Sequence, residues 1–268
     1  MMPDLPQNPA FQFDLAKIHA SSLFKCVEFT PELDSTNNRA LELSEDSSIN
    51  TPCLVLTSNQ TSGRGRGVNQ WWSNEGSLTF SLIINPGELN LPVESWPKIS
   101  LTAGLAVCET IRSLDQNLSP GLKWPNDVFL NGKKVSGLLI ETAKNQSNRL
   151  VIGIGVNINN SPKQGPEDIQ KIATSLMDEI DQRLDMTDFL LNLVNQLLEA
   201  WKSLTIAEAM IINSWRRYCI LTNRNITITS ASEKIIGQCH GIADDGALLL
   251  KTDTELRSIY SGTIDQIE

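Results

Sequence analysis

The dipeptide Asn131-Gly132 constrains the fold of this chain more than any other pair in it. It separates two runs of strand-forming residues, Asp127 to Leu130 and Lys133 to Thr142. A two-residue type I′ connection needs positive φ at both central positions, which asparagine tolerates and glycine adopts freely. The segment therefore reads as an antiparallel hairpin. Further strands are expected at Thr51 to Thr57, Ser77 to Ile84 and Arg149 to Asn157. Ile99, Ala103, Ala106, Val107, Ile111 and Leu114 recur at helical spacing, which predicts a helix over 95–114 lying on the sheet. Helical patterns follow over 168–180, 187–203 and 206–218. In the second, Thr187 reads as the N-cap, and Leu190, Leu191, Val194, Leu197 and Leu198 form the apolar stripe. After Tyr218 four short strands, Asn225 to Thr229, Ile235 to Cys239, Ala247 to Leu250 and Leu256 to Tyr260, alternate with turns such as Asp245-Gly246. The expected organisation is a lead-in over 1–25, an α+β domain over 26–220 with a mixed or antiparallel sheet flanked by helices, and a small β-barrel over 221–268.

Composition narrows the chemistry. A length of 268 residues suits one large domain, or one large and one small. The net charge of −9 argues against a general nucleic-acid binder and against docking on an anionic membrane. Five widely spaced cysteines, at 26, 53, 108, 219 and 239, contain no Cys-x-x-Cys pair, a pattern of free thiols in a reducing compartment. His19 and His240 are the only histidines, which leaves no His-based metal cluster and no Ser-His-Asp triad. The N-terminus has no basic region followed by an apolar run, and no stretch approaches the roughly 20 apolar residues of a membrane span. A cytoplasmic location is expected.

Candidate chemistry concentrates in a few segments. Gly63-Arg64-Gly65-Arg66-Gly67 alternates glycine with two guanidinium groups. It reads either as a mobile clamp for a carboxylate or phosphate, or as a solvated basic turn. Gln60 precedes it at a strand end, where its amide either bonds a neutral polar ring or caps the loop. Asp34-Ser35-Thr36-Asn37 opens a helical run; it is an N-cap, a set of polar groups offered to a ligand, or both. In Lys123-Trp124-Pro125-Asn126-Asp127, Pro125 disfavours helix at Trp124, so the segment is extended or turned. Trp124 reads as core, and Asp127 orients an attacking amine, accepts its proton, or is an ordinary turn aspartate. One of Lys133 and Lys134 is expected to point inward and need an anion, unless both are solvated. Gly137 lets a ligand approach the strand backbone. Gly153-Ile154-Gly155-Val156-Asn157 lacks the third glycine of a dinucleotide fingerprint. Its glycines are expected to make room for a nucleotide base or another ring.

The glycine-arginine loop, the Lys-Trp-Pro-Asn-Asp segment, Lys134 ahead of Ser136-Gly137, and the strand ending Gly155-Val156-Asn157 occur here in the order found in the biotin protein ligases, which the chain resembles from about Cys26 to its end. The resemblance implies a class II synthetase-like catalytic domain with an SH3-like barrel. It implies ATP-dependent activation of biotin to biotinyl-5′-AMP, with Mg²⁺ accompanying the nucleotide, and transfer to a lysine of a biotin carboxyl carrier protein or domain, as in acetyl-CoA carboxylase. It places Ser35, Thr36, Asn37, Gln60, Arg64, Gly65, Arg66, Lys134 and Gly137 around biotin. Arg64, Arg66, Lys123, Asn126 and Asn157 fall at the nucleotide. Lys134, Arg66 and Asp127 take catalytic roles, and no dedicated protein metal site is implied. The short lead-in resembles members without an N-terminal DNA-binding domain; no DNA or membrane partner is implied, and a homodimer is compatible. The loop departs from the family pattern at Val68 and Asn69, which stand where a glycine and a basic residue are usual, whereas Trp71 keeps the usual aromatic. The competing enzyme reading is a lipoate–protein ligase, which would need a narrow apolar tunnel rather than the polar set at Asp34 to Asn37 and Gln60.

Overall fold

A computed structural model describes residues 12–143, 148–231 and 233–268. The expected lead-in lies partly outside these residues. Its described part contains α1 (Leu15–Ala20), capped by the Asp14 side chain, which accepts from the Lys17 backbone N–H. Seven strands form the larger sheet: β1 (Cys26–Leu33), β2 (Cys53–Gln60), β3 (Ser77–Ile84), β4 (Pro120–Lys123), β5 (Asp127–Leu130), β6 (Lys133–Thr142) and β7 (Leu150–Asn157). Their order is β1-β2-β3-β7-β6-β5-β4. β1 runs parallel to β2, while β2–β3, β3–β7, β6–β7 and β4–β5 pair antiparallel, so the sheet is mixed. The expected hairpin turn is present, with φ 49° at Asn131 and 80° at Gly132.

The chain divides into two compact units, one of residues up to Glu88 with Lys133–Asn195, the other of Leu89–Gly132 with Gln196–Glu268. In the first unit, strand register sorts the residues onto two faces. Leu54–Leu82–Ile152–Ile140 and Leu56–Phe80–Ile154–Leu138 line up across β2, β3, β7 and β6 as one apolar face. The opposite face changes character along the strands. The row Cys53–Ile83–Val151 is apolar, Val55–Ser81–Gly153–Leu139 is mixed, and Thr57–Thr79–Gly155–Gly137 is small and polar. Helix α2 (Thr36–Ser44) packs on β2, β3 and β7, its Ala40 in a cluster with Cys53, Val55, Ile83 and Val151. The body of α2 thus covers the apolar end of this face, and its N-terminus opens onto the polar end. Buried Arg149 fixes the far end of the helix by donating to the carbonyls of Ser44, Asp46, Ser47 and Ile49.

The predicted helix over 168–180 is two helices, α4 (Glu167–Ile172) and α5 (Leu176–Ile180). Between them Ala173 bridges to Lys134, the Thr174 N–H donates to the Lys134 carbonyl at 2.9 Å, and the Ser175 side chain caps α5. Helix α6 (Met186–Ser203) also starts differently from expectation. Asp185, not Thr187, holds the first turn: its carboxylate accepts from the Asp188 N–H at 2.9 Å. The Thr187 hydroxyl instead accepts from the Asp14 N–H at 2.9 Å.

In the second unit, α3 (Trp96–Leu114) packs on α7 (Glu208–Tyr218) and β4. The C-terminal sheet is antiparallel and has five strands, β8 (Asn225–Ser230), β9 (Glu233–Ile242), β10 (Leu248–Lys251), β11 (Leu256–Ile259) and β12 (Thr263–Ile267), in the order β11-β10-β9-β8-β12. The last of these adds to the four expected. All five cysteines are free thiols. Cys53, Cys108 and Cys239 are buried, and burial holds the Cys108 thiol far above its ordinary pKa.

Candidate functional site

The polar end of the first unit's sheet face is walled by four pieces of chain: the start of α2, the end of β2, the loop over 63–71, and the start of β6. Ser35, Thr36 and Asn37 are all at most 4% exposed, so they form an interior polar cluster rather than a surface cap. Ser35 occupies the N-cap position but makes no side-chain cap bond. Its backbone N–H donates to Asp34 Oδ1 at 2.6 Å. The cap for Thr36 comes from β2, where Gln60 Oε1 accepts from the Thr36 N–H at 2.8 Å and from its hydroxyl at 3.1 Å. Ser81 Oγ donates to Asn37 Oδ1 at 2.6 Å and lies 2.9 Å from Thr36 Oγ1. Asn37 Nδ2 donates to the Leu139 carbonyl at 3.2 Å and to Glu141 Oε2 at 2.9 Å. This network fixes donor and acceptor directions before any ligand arrives.

The glycine-arginine loop closes on itself. The Gly65 N–H donates to the Asn69 carbonyl at 2.8 Å and the Trp71 N–H to the Gly63 carbonyl at 2.9 Å. Asn69 Nδ2 donates to the Arg66 carbonyl at 3.0 Å, so the asparagine that replaces a basic residue staples the loop tip. Arg64 turns back toward the sheet: Nη1 donates to Asn38 Oδ1 at 2.7 Å and Nη2 to Glu141 Oε1 at 2.6 Å. Glu141 therefore uses one oxygen for Asn37 and the other for Arg64, tying the helix start to the loop. Arg66 is exposed. Loop and cluster thus place the Arg64 guanidinium, held by Glu141, beside a buried polar set.

Lys134 is half-buried, with Nζ 5.9 Å from the centre of the Trp71 ring. A Cβ built on Gly137 would lie 3.1 Å from that ammonium and 3.4 Å from Trp71, so Lys134, Trp71 and Gly137 meet. Lys133 goes elsewhere, its Nζ donating to the Gln170 carbonyl at 2.9 Å. The inward lysine of the expected pair is Lys134. The room made by Gly153 and Gly155 is not left for a nucleotide base as expected. A Cβ on Gly153 would lie 2.1 Å from Asn37 Oδ1, and one on Gly155 would lie 2.4 Å from Trp71 Cε2. The chain's own amide and indole fill those positions. Asn157 is 3% exposed and both ends of its amide are bonded, Nδ2 donating to the Thr174 carbonyl and Oδ1 accepting from Asn160, each at 3.0 Å.

Lys123, Trp124, Asn126 and Asp127 belong to the second unit. Lys123 and Asp127 are direct register partners across the β4–β5 hairpin, and Lys123 Nζ lies 5.5 Å from the centre of the Phe129 ring. Trp124 is core, 3% exposed, its indole N–H donating to the Gly246 carbonyl at 3.2 Å. Sequence reasoning singled out neither Ser81 nor Glu141. Register supplies the missing signal, because Ser81 pairs with Gly153 and Glu141 with Val151 on the face that carries Asn37.

Comparison with known proteins identifies the family to which this fold belongs. Residues 29–159 match the Biotin/lipoate A/B protein ligase family, and residues 222–265 match the Biotin protein ligase C terminal domain. The bifunctional ligase/repressor BirA of Bacillus subtilis is 31% identical over 239 residues, an alignment spanning 87% of this chain and 71% of that protein. The chain belongs to the biotin protein ligase family. Another member, the biotin–[acetyl-CoA-carboxylase] ligase of Mycobacterium tuberculosis, is 27% identical over 253 residues, covering 92% of this chain and 91% of that one. Among solved structures, the biotin protein ligase of Aquifex aeolicus in complex with biotin and ATP superposes with a TM-score of 0.79 at 30% identity, over 90% of this chain and 98% of that one. Within this family fold, α2 and the 63–71 loop sit on the same sheet face and frame one polar site.

Proposed function

We propose that this chain activates biotin with ATP to biotinyl-5′-AMP and transfers the biotinyl group to a lysine of a biotin carboxyl carrier domain. The observation that carries the reading is the convergence of Lys134 and Trp71 over Gly137, next to the Thr36–Gln60–Ser81–Asn37 network. A neutral polar receptor joined to a cationic end suits a molecule with a neutral ring at one end and a carboxylate at the other.

In the first step a biotin carboxylate oxygen attacks the α-phosphorus, and the bond to pyrophosphate breaks. Two anions must meet, so Lys134, Arg64 and Arg66 have their largest effect where charge builds up in the transition state. Mg²⁺ arrives with ATP as part of the substrate and keeps several waters, which needs no protein cage. In the second step the neutral carrier amine attacks the acyl carbon, AMP leaves with the bonding electrons of the broken C–O bond, and the amine's proton passes to solvent. We assign Asp127 to position that amine, and Lys123, Asn126 and Asn157 to the nucleotide; the family motifs support these roles. Ser35, Thr36, Asn37, Gln60 and Gly137 take biotin, with Gly65 letting the loop close. On the same reading residues 26–220 form the catalytic domain and 221–268 the small β-domain, supported by the C-terminal match over 222–265. The five free thiols support a cytoplasmic setting, and the charge of −9 supports the absence of DNA and membrane partners. No described helix is long and apolar enough to cross a membrane.

The direct test is incubation with biotin, ATP, Mg²⁺ and a carrier domain, read by mass spectrometry. Mass gain on one carrier lysine is the expected result; no gain with a folded carrier sinks the proposal. Thermal stabilisation by biotin but not by lipoate separates this reading from the lipoate enzymes. Arg66→Gly is expected to weaken the clamp and leak biotinyl-5′-AMP. Bystander proteins should then become biotinylated several-fold more than with the wild type, and unchanged bystander labelling counts against the clamp.

A further inference from the structure

Three of the hydroxyls on this sheet face, those of Thr57, Ser81 and Thr79, are not in the same state. Thr57 Oγ1 lies 3.2 Å from the Pro31 carbonyl and 3.0 Å from the Asn59 carbonyl. Ser81 is held by Asn37 and Thr36. Thr79, the direct partner of Thr57 across β2–β3 and two residues before Ser81 on β3, is 1% exposed, and its Oγ1 has no hydrogen-bond partner among the described residues. On its other side Thr79 pairs with Gly155, over which the Trp71 indole lies, and the Trp71 Nε1 is likewise buried and unpartnered among the described residues. A Cβ on Gly155 would lie 2.7 Å from that nitrogen, which places the two orphaned groups beside the same glycine. A buried polar group without a partner destabilises a fold, because it has given up its hydrogen bond to water and gained none. Two such groups beside one glycine, next to the hydrogen-bonded Thr36–Gln60–Ser81–Asn37 network, mark where a ligand completes that network.

We propose that Thr79 is a substrate-contacting, specificity-determining residue: its hydroxyl hydrogen-bonds the polar bicyclic head of biotin, a neutral cyclic urea, with the Trp71 indole N–H as the accompanying donor. The assignment rests on the biotin ligase reading. A hydroxyl can give or take a proton, so Thr79 fits either edge of a cyclic urea, while Trp71 requires an acceptor. A site built this way rejects an acid whose ring offers no such groups, because the hydroxyl and the indole then stay buried and unpaired.

The test compares the wild type, Thr79→Val and Thr79→Ser by biotin titration and by melting temperature without ligand. Valine keeps the shape and removes only the hydroxyl; serine restores it. Expected are at least a fivefold loss of biotin affinity in Thr79→Val, recovery to within twofold in Thr79→Ser, and a ligand-free melting temperature that does not fall in Thr79→Val. A purely structural hydroxyl would move the melting temperature down and leave affinity alone, and that outcome overturns the assignment. So does Thr79→Val binding biotin like the wild type, or Thr79→Ser failing to recover. Should the wild type itself show no biotin binding, the ligase reading fails together with this one; normal binding by Thr79→Val overturns this one only.

Discussion

Lys134→Ala is expected to reduce biotin-dependent pyrophosphate release by about 10²–10³-fold or more, the range seen when one pre-organised charge-stabilising group is removed. The ammonium lies against Trp71 and at Gly137, on the sheet face that carries the polar cluster. Forming the mixed anhydride brings a carboxylate onto a phosphate, and a positive charge held at their meeting point lowers the barrier more than it strengthens ground-state binding. The loss should therefore fall on the rate of adenylate formation and less on biotin affinity. The pairing of β6 with the 173–174 segment should survive, because the backbone carbonyl of residue 134 that accepts from Thr174 is kept in alanine. Lys134→Arg should not restore the rate, since a flat fork does not replace a compact point charge packed against an indole. Lys133→Ala serves as the control: that ammonium bonds the Gln170 carbonyl, and the activity should persist. Near-normal pyrophosphate release by a folded Lys134→Ala protein would remove Lys134 from the chemistry.

The parts of the fold readable in advance were those decided locally. Asn131-Gly132 set its own turn, because positive φ is a property of those two residues. Ser77 to Ile84 was readable as a strand with its true ends, since all eight residues are buried and Leu78, Phe80 and Leu82 alternate with the small residues Ser77, Thr79 and Ser81 before Ile83 and Ile84. The features that escaped are decided by distant contacts. The 168–180 pattern breaks at Ala173 because that residue pairs with Lys134, 39 positions earlier, and no local propensity encodes the pairing. β1 and β12 lie at sheet edges and alternate weakly, with only Ile264 buried in β12. The site shows the same division. Gly63 to Gly67, Lys134 and the Ser35–Asn37 set stand out by residue type. Ser81, Glu141 and Thr79 are ordinary strand residues until the register puts them on one face. Gly153 and Gly155 announced that something lies close to β7, but a sequence does not say whether a ligand or the chain itself takes the space. Here it is Asn37 and Trp71.

That close approach makes Gly153→Ala the second large effect. The added methyl would lie 2.1 Å from Asn37 Oδ1 and 2.7 Å from its Cγ, well inside contact distance. Asn37 has little freedom to retreat, since its oxygen accepts from Ser81 and its nitrogen donates to Leu139 and Glu141. Overpacking of this kind destabilises by about 1–3 kcal/mol. The functional loss should be larger than that figure suggests, because Asn37 anchors one side of the proposed ring receptor and Glu141 links it to Arg64. Misdirecting two hydrogen bonds, each about 1 kcal/mol, corresponds to roughly a 30-fold loss of biotin affinity. The double variant Gly153→Ala/Asn37→Ala separates the two effects. Removing the amide relieves the clash, so the melting temperature should rise above that of Gly153→Ala alone, while biotin affinity should stay low because the receptor remains incomplete. Gly153→Ala with unaltered biotin affinity would instead show that Asn37 stands outside the binding site, with its buried network holding only the start of α2.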